Sequence, residues 1–221
     1  MSLDRVITNI DVPNADHSYL CLTFDDGPNP EYTPQILEIL EENNAKATFF
    51  LVGEFVNYHP HIVQQIVEAG HEIGNHTFSH PDLRDLSEDQ IQDEIERTEN
   101  VISAITGSHT ALFRPTYGLY DSSTVSLVER LGYRFVTWSD GLYTRDWELR
   151  GVDVLINTIM TYSKNGSIVL LHDAGGNRDQ TVEAVKFVIP ELMKRGFQFV
   201  TVSDLLAISE TMDPDAKYIK R

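Results

Sequence analysis

The chain has 221 residues, and its 34 Asp and Glu residues outnumber 17 Lys and Arg residues, for a formal net charge of −17. That charge repels phosphate backbones, so a nucleic-acid partner is not expected. No apolar run approaches the ~18 residues of a membrane helix, and Cys21 is the only cysteine, which excludes an intramolecular disulfide.

Short apolar runs rich in β-branched or aromatic residues alternate along the chain with longer segments of helical periodicity. Seven strands are predicted, at Tyr19–Phe24, Ala47–Val52, Glu72–Asn75, Ala111–Phe113, Arg134–Trp138, Ser167–Leu171 and Gln198–Val202. Six helices are predicted between them, at Tyr32–Asn43, His61–Ala69, Glu88–Thr106, Ser122–Leu131, Val152–Ser163 and Thr181–Arg195.

Repeated strand–helix units with no linker rich in Pro, Gly or Ser predict a single-domain α/β fold, a TIM-barrel-like αβ barrel slightly short of eight repeats. Residues 1–17 are expected to be an N-terminal extension that forms a strand or hairpin over one end. The barrel domain is expected to cover residues 18–209, and residues 210–221 are expected to form a mobile tail.

The predicted helix Glu88–Thr106 begins with a run of acidic residues. We interpret this run as a solvated helix face rather than an acidic binding site. Its members are Glu88, Asp89, Asp93, Glu94 and Glu96.

Polar residues follow several predicted strands, at the end where an αβ barrel gathers its chemistry. They are Asp25 and Asp26 after the first strand, His76 and His80 after the third, Arg114 after the fourth, Asp140 near the fifth, and His172 and Asp173 after the sixth. The polar residues that follow these five strands are therefore predicted to meet at one rim of the barrel.

The first of these groups places two carboxylates side by side. Neighbouring strand residues point to opposite faces, so Asp25 and Asp26 serve one pocket only if the chain turns there, as Gly27 and Pro28 suggest. Adjacent carboxylates repel each other, which favours a bound cation or a shared proton. Taken alone, the segment is more typical of a solvated Asp-Gly turn.

The second group separates two imidazoles by four residues, a spacing that suits two-point metal ligation. Pro81 disfavours helical conformation at His80, which predicts a single turn or a loop. With Asp26 as third ligand, His76 and His80 form a set of two histidines and one carboxylate. Such a set leaves positions open for water and substrate, which is typical of a catalytic metal.

Five segments carry a resemblance to a known family. They are, in chain order, Thr23–Pro28, His76–His80, Phe113–Gly118, Asp146–Trp147 and Ile168–Asp173. With these segments and Lys46–Phe50, the chain from about residue 19 to residue 205 resembles the polysaccharide deacetylases, also called the NodB homology domain or carbohydrate esterase family 4.

The resemblance implies a distorted (β/α)7 barrel, a metal-dependent hydrolase and a role for each matched residue. Asp26, His76 and His80 would hold a divalent metal, most often Zn²⁺, with Co²⁺, Ni²⁺ and Mn²⁺ as alternatives. Asp25 would be the general base and His172 the general acid. Arg114 would hold Asp25 in place, and the backbone N–H of Tyr117 would stabilise the oxyanion. Asp146 would orient His172, and Trp147 and Leu170 would line the pocket for the acetyl group.

The sequence departs from the family pattern at two places. Thr116 stands where a second proline is common, which is expected to loosen the backbone beside Tyr117. The stretch from Trp138 to Trp147 is longer than usual, so Asp140 competes with Asp146 as the partner of His172. Three aromatic residues, Trp138, Tyr120 and Tyr143, are candidates to stack on sugar rings, although an aromatic residue in a barrel is more often part of the core. Tyr143 is the most expected of them because it lies in a loop.

The implied substrate is an N-acetylglucosamine-containing poly- or oligosaccharide of chitooligosaccharide or peptidoglycan type, deacetylated with release of acetate. A monomer at the bacterial cell surface or outside the cell is expected, although the first twelve residues lack the apolar block of a signal peptide. Three alternatives remain: a non-catalytic glycan-binding module, a deacetylase-like amidase, and a non-haem iron oxygenase. The last is expected on an all-β scaffold.

Overall fold

A computed structural model of the chain describes residues 6–12 and 17–212. Within these ranges eight strands form one sheet, in which every paired strand is parallel to its neighbour. The strands are β1 Val6–Ile7, β2 Ser18–Asp25, β3 Ala47–Leu51, β4 Glu72–Asn75, β5 Leu112–Phe113, β6 Arg134–Val136, β7 Ser167–His172 and β8 Phe197–Phe199.

The strand order is β1-β6-β5-β4-β3-β2-β7, and β8 pairs with residues Ser18–Leu20 of β2. Strand β2, which pairs with β3, β7 and β8, is buried along most of its length because its apolar run faces helices on one side and the barrel interior on the other. The phenyl rings of Phe24 on β2 and Phe49 on β3 stack with centroids 5.1 Å apart.

The chain segment after β6 links the two edges of this sheet. The backbone N–H of Ser139 donates to Ile168 O of β7 at 3.0 Å, and that of Leu170 donates to Leu142 O at 3.1 Å. Asn9, just after β1, also forms an antiparallel bridge with Ser167. The sheet is therefore a curled half-barrel, and the predicted α/β class with a distorted barrel in one domain is confirmed.

Eight helices surround the sheet in the described part of the chain: α1 Tyr32–Glu42, α2 Gly53–Tyr58, α3 Pro60–Glu68, α4 Glu88–Thr106, α5 Ser122–Arg130, α6 Val152–Tyr162, α7 Asp179–Lys194 and α8 Val202–Met212. Helix α4 begins with a capping box between Ser87 and Gln90 and ends at Gly107, which has a φ of 69°. In the described residues no helix is both long enough and apolar enough to cross a membrane.

The chain ends add detail to the expected layout. Val6–Ile7 forms a strand, as expected within residues 1–17, and this strand pairs with β6 in the main sheet. Val202, predicted as the end of the last strand, begins helix α8, whose first turn is capped by the Thr201 hydroxyl accepting from the Asp204 N–H at 3.1 Å. Residues 210–212 belong to α8 rather than to a tail, and residues 213–221 lie outside the described residues.

Candidate active site

A cavity of about 250 Å³ lies at the carboxyl ends of the strands. All predicted site residues except Arg114 and Asp146 contribute to its lining. The lining consists of Asp25, Asp26, His76, His80, Pro115, Tyr117, Gly118, Trp138, Tyr143, Trp147, Leu170, His172, Gly175 and Arg178.

The chain turns sharply after β2, so that both adjacent carboxylates reach one side of the cavity. Asp26 has a φ of 75°, in the left-handed region that non-glycine residues seldom adopt. As a result Asp25 Oδ2 lies 3.8 Å and Asp26 Oδ1 3.6 Å from His76 Nε2. Gly27 follows because a Cβ there would lie 2.4 Å from the carboxylate oxygen Oδ2 of buried Asp173.

Arg114 holds the carboxylate of Asp25 from below. Its side chain is fully buried, and its Nη1 donates to Asp25 Oδ1 and to the hydroxyl of Thr23, each at 2.7 Å. Its Nη2 donates to the backbone oxygen of Thr137 at 2.8 Å, and its guanidinium lies 4.0 Å above the ring of Phe50. These charge-assisted contacts fix Oδ1 and leave Oδ2 facing the cavity.

Asp26, His76 and His80 form a compact group whose potential ligand atoms all lie within 4.8 Å of one another. His80 Nε2 is 3.1 Å from Asp26 Oδ1. His76 Nδ1 lies 2.8 Å from the Arg114 carbonyl oxygen, so Nδ1 carries a proton and Nε2 is the ring nitrogen that faces Asp26. A donor set of two imidazoles and one carboxylate at this separation fits a divalent metal ion with open positions.

The electrostatics of Asp26 agree with ligation. Burial acts to raise the pKa of Asp26, but hydrogen bonds from His76 and His80 and the positive charge of nearby histidines lower that pKa well below its usual value. Both histidines lie in a loop, as Pro81 predicts, and not in a helix. The loop requires left-handed backbone at Thr77, with a φ of 67°, and at His80, with a φ of 56°.

His172 faces this group from the end of β7. Its Nδ1 lies 2.6 Å from Asp146 Oδ1, and its backbone N–H donates to Asp146 Oδ2 at 2.9 Å. The hydroxyl of Thr181 donates to the same Oδ2 at 2.8 Å. Asp146 is thus the carboxylate placed against His172, whereas Asp140 is exposed to solvent.

Asp146 also changes the acidity of His172. Burial acts to lower the pKa of His172, but the hydrogen bond to Asp146 and the charges of Asp146, Asp26 and Asp25 together raise that pKa above its usual value. The imidazole therefore keeps its proton to a higher pH than a histidine in water.

Thr116 tightens the loop that it was expected to loosen. Its side chain is buried, and its hydroxyl donates to the backbone oxygen of Pro81, the residue after His80. This contact ties the loop of Tyr117 to the loop of the histidine pair. Tyr117 itself has a φ of 58°, and its ring meets the His80 ring edge-on with centroids 4.6 Å apart.

Aromatic rings form the wall between this loop and His172. The rings of Trp138 and Tyr143 stack with centroids 5.1 Å apart, Tyr143 contacts Trp147 at 5.1 Å, and Trp147 meets His172 edge-on at 5.2 Å. Tyr143 and Trp147 remain partly exposed, while Leu170 is buried below them. The aromatic rings of Tyr143 and Trp147 thus face the opening of the cavity, and the aliphatic side chain of Leu170 lies deeper in it.

Several residues of the site were not predicted. Trp138 was not separated from core aromatics by any signal in the sequence, and Arg178, which lies buried in the loop after β7, stands in no recognised motif. Its Nε donates to Ala174 O at 2.7 Å, and its Nη2 donates to Gly175 O at 3.0 Å. The Thr23 hydroxyl accepts a hydrogen bond from Arg114, and the Thr181 hydroxyl donates one to Asp146. The sequence gives no sign of these two contacts.

Comparison with known proteins agrees with this geometry. The sequence profile described as polysaccharide deacetylase matches residues 13–136, more than half of the chain. A peptidoglycan-N-acetylglucosamine deacetylase of Bacillus cereus is 40% identical over 196 residues, which cover 89% of this chain and 91% of that protein. A chitooligosaccharide deacetylase of Azorhizobium caulinodans is 39% identical over 192 residues, 81% of this chain and 90% of that protein.

Solved structures lead to the same group. A peptidoglycan N-acetylglucosamine deacetylase crystallised with 4-naphthalen-1-yl-N-oxidanyl-benzamide superimposes with a TM-score of 0.86 at 35% identity, covering 91% of this chain and 92% of that one. The identities, the coverage and the profile match establish the relationship. The chain belongs to the polysaccharide deacetylase family.

Proposed function

We propose that the chain is a metal-dependent hydrolase that removes N-acetyl groups from N-acetylglucosamine-containing poly- or oligosaccharides of chitooligosaccharide or peptidoglycan type, with release of acetate. The observation that carries the proposal is the placement of an arginine-held carboxylate and a carboxylate-held histidine in the lining of one cavity, next to a three-ligand metal group. Hydrolysis of an amide needs a base for water and an acid for the departing amine.

Asp26, His76 and His80 would hold the metal, for which we propose Zn²⁺. When bound there, a divalent ion supplies Lewis-acid polarisation of the acetyl carbonyl and a lowered pKa for water. The protein contributes the orientation of the ligand atoms: the hydrogen bond from His76 Nδ1 to Arg114 O fixes the ring.

Asp25 Oδ2 would accept the proton of the attacking water as the water oxygen bonds to the carbonyl carbon. Arg114 holds the other oxygen of this carboxylate, Oδ1, and Thr23 in turn accepts from Arg114, so Oδ2 is presented without reorganisation. The backbone N–H of Tyr117 would donate to the oxygen that becomes negative.

His172 Nε2 would then protonate the sugar nitrogen as the C–N bond breaks, giving acetate and a free amino sugar. Asp146 holds Nδ1 and stabilises the protonated imidazole before transfer. Trp147 and Leu170 would contact the acetyl methyl, and Tyr143 would stack on a sugar ring at the opening.

A non-catalytic glycan-binding module is disfavoured because base, ligands and acid are all present and converge. A ferrous oxygenase is disfavoured because the ligand set sits on strands alternating with helices. The proposed setting is the bacterial cell surface or exterior, where such polymers lie, with the protein acting as a monomer.

The test is acetate release, measured with three substrate classes: acetylated chitooligosaccharides, peptidoglycan fragments and small linear or cyclic amides. We expect turnover of at least one of the two glycans and none of the small amides. Turnover of small amides alone would contradict the glycan assignment, and no turnover of any class by the metal-loaded protein would contradict the hydrolase assignment.

A further inference from the structure

Glu94 is a buried carboxylate on helix α4 that is bonded to the loop between the two histidine ligands. Only 8% of its surface is exposed. Its Oε2 accepts the backbone N–H groups of Phe78 at 2.8 Å and Ser79 at 2.7 Å, and its Oε1 accepts the Ser79 hydroxyl at 2.9 Å. Three donors from two consecutive loop residues therefore converge on one side chain.

The charge of Glu94 is directed mainly to this loop. Its nearest basic group is Arg97 Nη1 at 3.9 Å, on a side chain that is 47% exposed. A distance of 3.9 Å to a largely solvated group gives a weak ion pair. Charge-assisted bonds to backbone N–H groups are shorter and stronger, so the loop contacts dominate.

The loop that Glu94 binds has a conformation that its own sequence does not favour. Thr77 and His80 both have positive φ angles, which are unfavourable for residues other than glycine. Neutral contacts also hold the loop: the Thr77 N–H donates to Asn75 Oδ1 at 3.0 Å, and Gly53 N–H donates to Thr77 O at 3.0 Å. Among the contacts described for residues 77–79, Glu94 supplies the charged acceptor.

We propose that Glu94 is a positioning residue for the metal site, which fixes residues 77–79 so that His80 Nε2 faces Asp26. The inference rests on the proposed function of Asp26, His76 and His80 as metal ligands. Glu94 forms its hydrogen bonds with Phe78 and Ser79 and with none of the three ligands, so it acts through the loop. Its loss would take the charged acceptor from the N–H groups of Phe78 and Ser79 and release the loop from its left-handed turns.

Glu99 on the same helix provides a matched control. It is also 8% exposed, and it accepts the Thr110 hydroxyl at 2.6 Å, the Thr110 N–H at 3.2 Å and the Tyr133 hydroxyl at 3.0 Å. Its partners belong to the segments before β5 and β6 rather than to the ligand loop. Glu94→Ala and Glu99→Ala therefore remove similar networks, of which only the first is bonded to the ligand loop.

The experiment compares Glu94→Ala, Glu94→Gln and Glu99→Ala with the unchanged protein. Zinc affinity is measured by competition with a chromophoric chelator, and the Co²⁺-loaded forms are compared by visible absorption. Amide hydrogen exchange at residues 78 and 79 is followed in metal-free protein, and Tm reports the loss of stability.

We expect Glu94→Ala to lower zinc affinity about 10-fold, the lower end of the range for residues bonded directly to metal ligands, because Glu94 acts through the loop. The Co²⁺ spectrum should also change. Glu94→Gln should fall between because one amide oxygen replaces two carboxylate oxygens. Glu99→Ala should lower Tm yet keep zinc affinity within about twofold.

Zinc affinity retained by Glu94→Ala despite fast exchange at residues 78 and 79 would overturn the inference, as would an equal loss in Glu99→Ala. If Glu94→Ala does not fold, unchanged affinity and spectrum in Glu94→Gln would overturn it. Asp26→Ala distinguishes a failure of the proposed metal site from a failure of the positioning role of Glu94. If Asp26→Ala binds zinc normally, the proposed metal site fails; if it loses zinc while both Glu94 variants keep it, only the positioning role fails.

Discussion

The two sides of the cavity achieve opposite charge states by different means. The base-and-metal side consists of Asp25, Asp26, His76 and His80, with Arg114 behind them, and the acid side consists of His172, Asp146 and Thr181. On the first side, histidine contacts lower the pKa of Asp26 despite burial. On the second, a carboxylate raises the pKa of His172 despite burial.

This difference gives each side a separate task. The lowered pKa of Asp26 keeps that carboxylate ionised, which suits a metal ligand, and the raised pKa of His172 keeps the imidazole protonated, which suits a proton donor. The base-and-metal side depends on loops with left-handed backbone at Asp26, Thr77 and His80. On the acid side His172 lies at the end of the regular strand β7, whereas Asp146 lies in a 3-10 turn flanked by left-handed Arg145 and Leu149.

Removal of metal should produce the largest effect and should act on the first side alone. We expect chelator-treated protein to lose its acetate-releasing activity and to regain it with Zn²⁺ or Co²⁺. Metal analysis of protein purified without chelator should give about one divalent ion per chain, because the three ligands form one site. Full activity of metal-free protein would contradict the assignment of a catalytic metal to the base-and-metal side.

Substitution of the acid should produce the next largest effect. His172→Ala should lower kcat by about 10²–10⁴ while metal content stays near that of the unchanged protein, because His172 delivers a proton and is not a ligand. The exposed His61→Ala serves as control and should change neither quantity. Loss of metal in His172→Ala would assign this residue to the opposite side.

A smaller change, with a characteristic pH dependence, is expected for the partner of the acid. Asp146→Asn removes a charge-assisted hydrogen bond worth about 1.5–3 kcal/mol, so kcat should fall roughly 10–100-fold. Asp146 raises the pKa of His172. Its loss lowers that pKa, so the protonated acid disappears at lower pH and the alkaline limb of the pH–rate profile moves downward.

Asp140→Asn is the matched control for that profile, since Asp140 lies in the same connection but is exposed. Its profile should follow that of the unchanged protein. An alkaline limb that moves in Asp140→Asn and stays in place in Asp146→Asn would reverse the assignment of the two aspartates.

The smallest effect is expected at the aromatic wall, which lies between the two sides. Tyr143→Ala should raise KM by roughly 2–12-fold with little change in kcat, as expected for loss of an aromatic contact of about 0.5–1.5 kcal/mol. Tyr58→Ala, which removes a 65% exposed tyrosine on α2, should leave KM unchanged. A fall in kcat alone for Tyr143→Ala would argue against sugar stacking.

The sequence predicts these two sides unequally well. The paired aspartates, the histidine pair, Arg114 and His172 each follow a recognisable strand, so their convergence follows from the topology of parallel sheets. Asp146 could not be separated from Asp140 because the connection containing both folds irregularly. The roles of all these residues stay predictions until they are tested.

Glu94 shows what periodicity could have revealed. It was interpreted with its acidic neighbours as part of a solvated face, and that interpretation is wrong for this residue. Glu94 lies at helical spacing from Ile91 and Thr98 and next to Ile95, all of them on the buried face of α4. Its partners at residues 78 and 79 lie about 15 residues earlier in the chain. The periodicity of the helix therefore indicates that Glu94 is buried but not which groups it binds.

Thr116 illustrates the opposite limit. A missing proline suggested a looser loop, yet the hydroxyl that replaces it bonds to Pro81 O. Helix α2 was not predicted because it has six residues, of which only Gly53 and Val56 are buried, and is too short for a periodic signal. The hydrogen bond of Thr116 and the position of α2 both depend on contacts between segments that are distant in the sequence.

The central claim is that two neighbouring residues, Asp25 and Asp26, serve as base and ligand respectively. Metal content and acetate release of Asp25→Asn and Asp26→Ala, measured side by side, test it most directly. Asp25→Asn should bind metal normally with a loss of about 10²–10⁴ in kcat, because its amide cannot accept the proton of water. Asp26→Ala should lose metal affinity together with activity, and excess metal should restore part of the rate. Loss of metal in Asp25→Asn with retention in Asp26→Ala would reverse the roles, and full activity in both variants would contradict the mechanism.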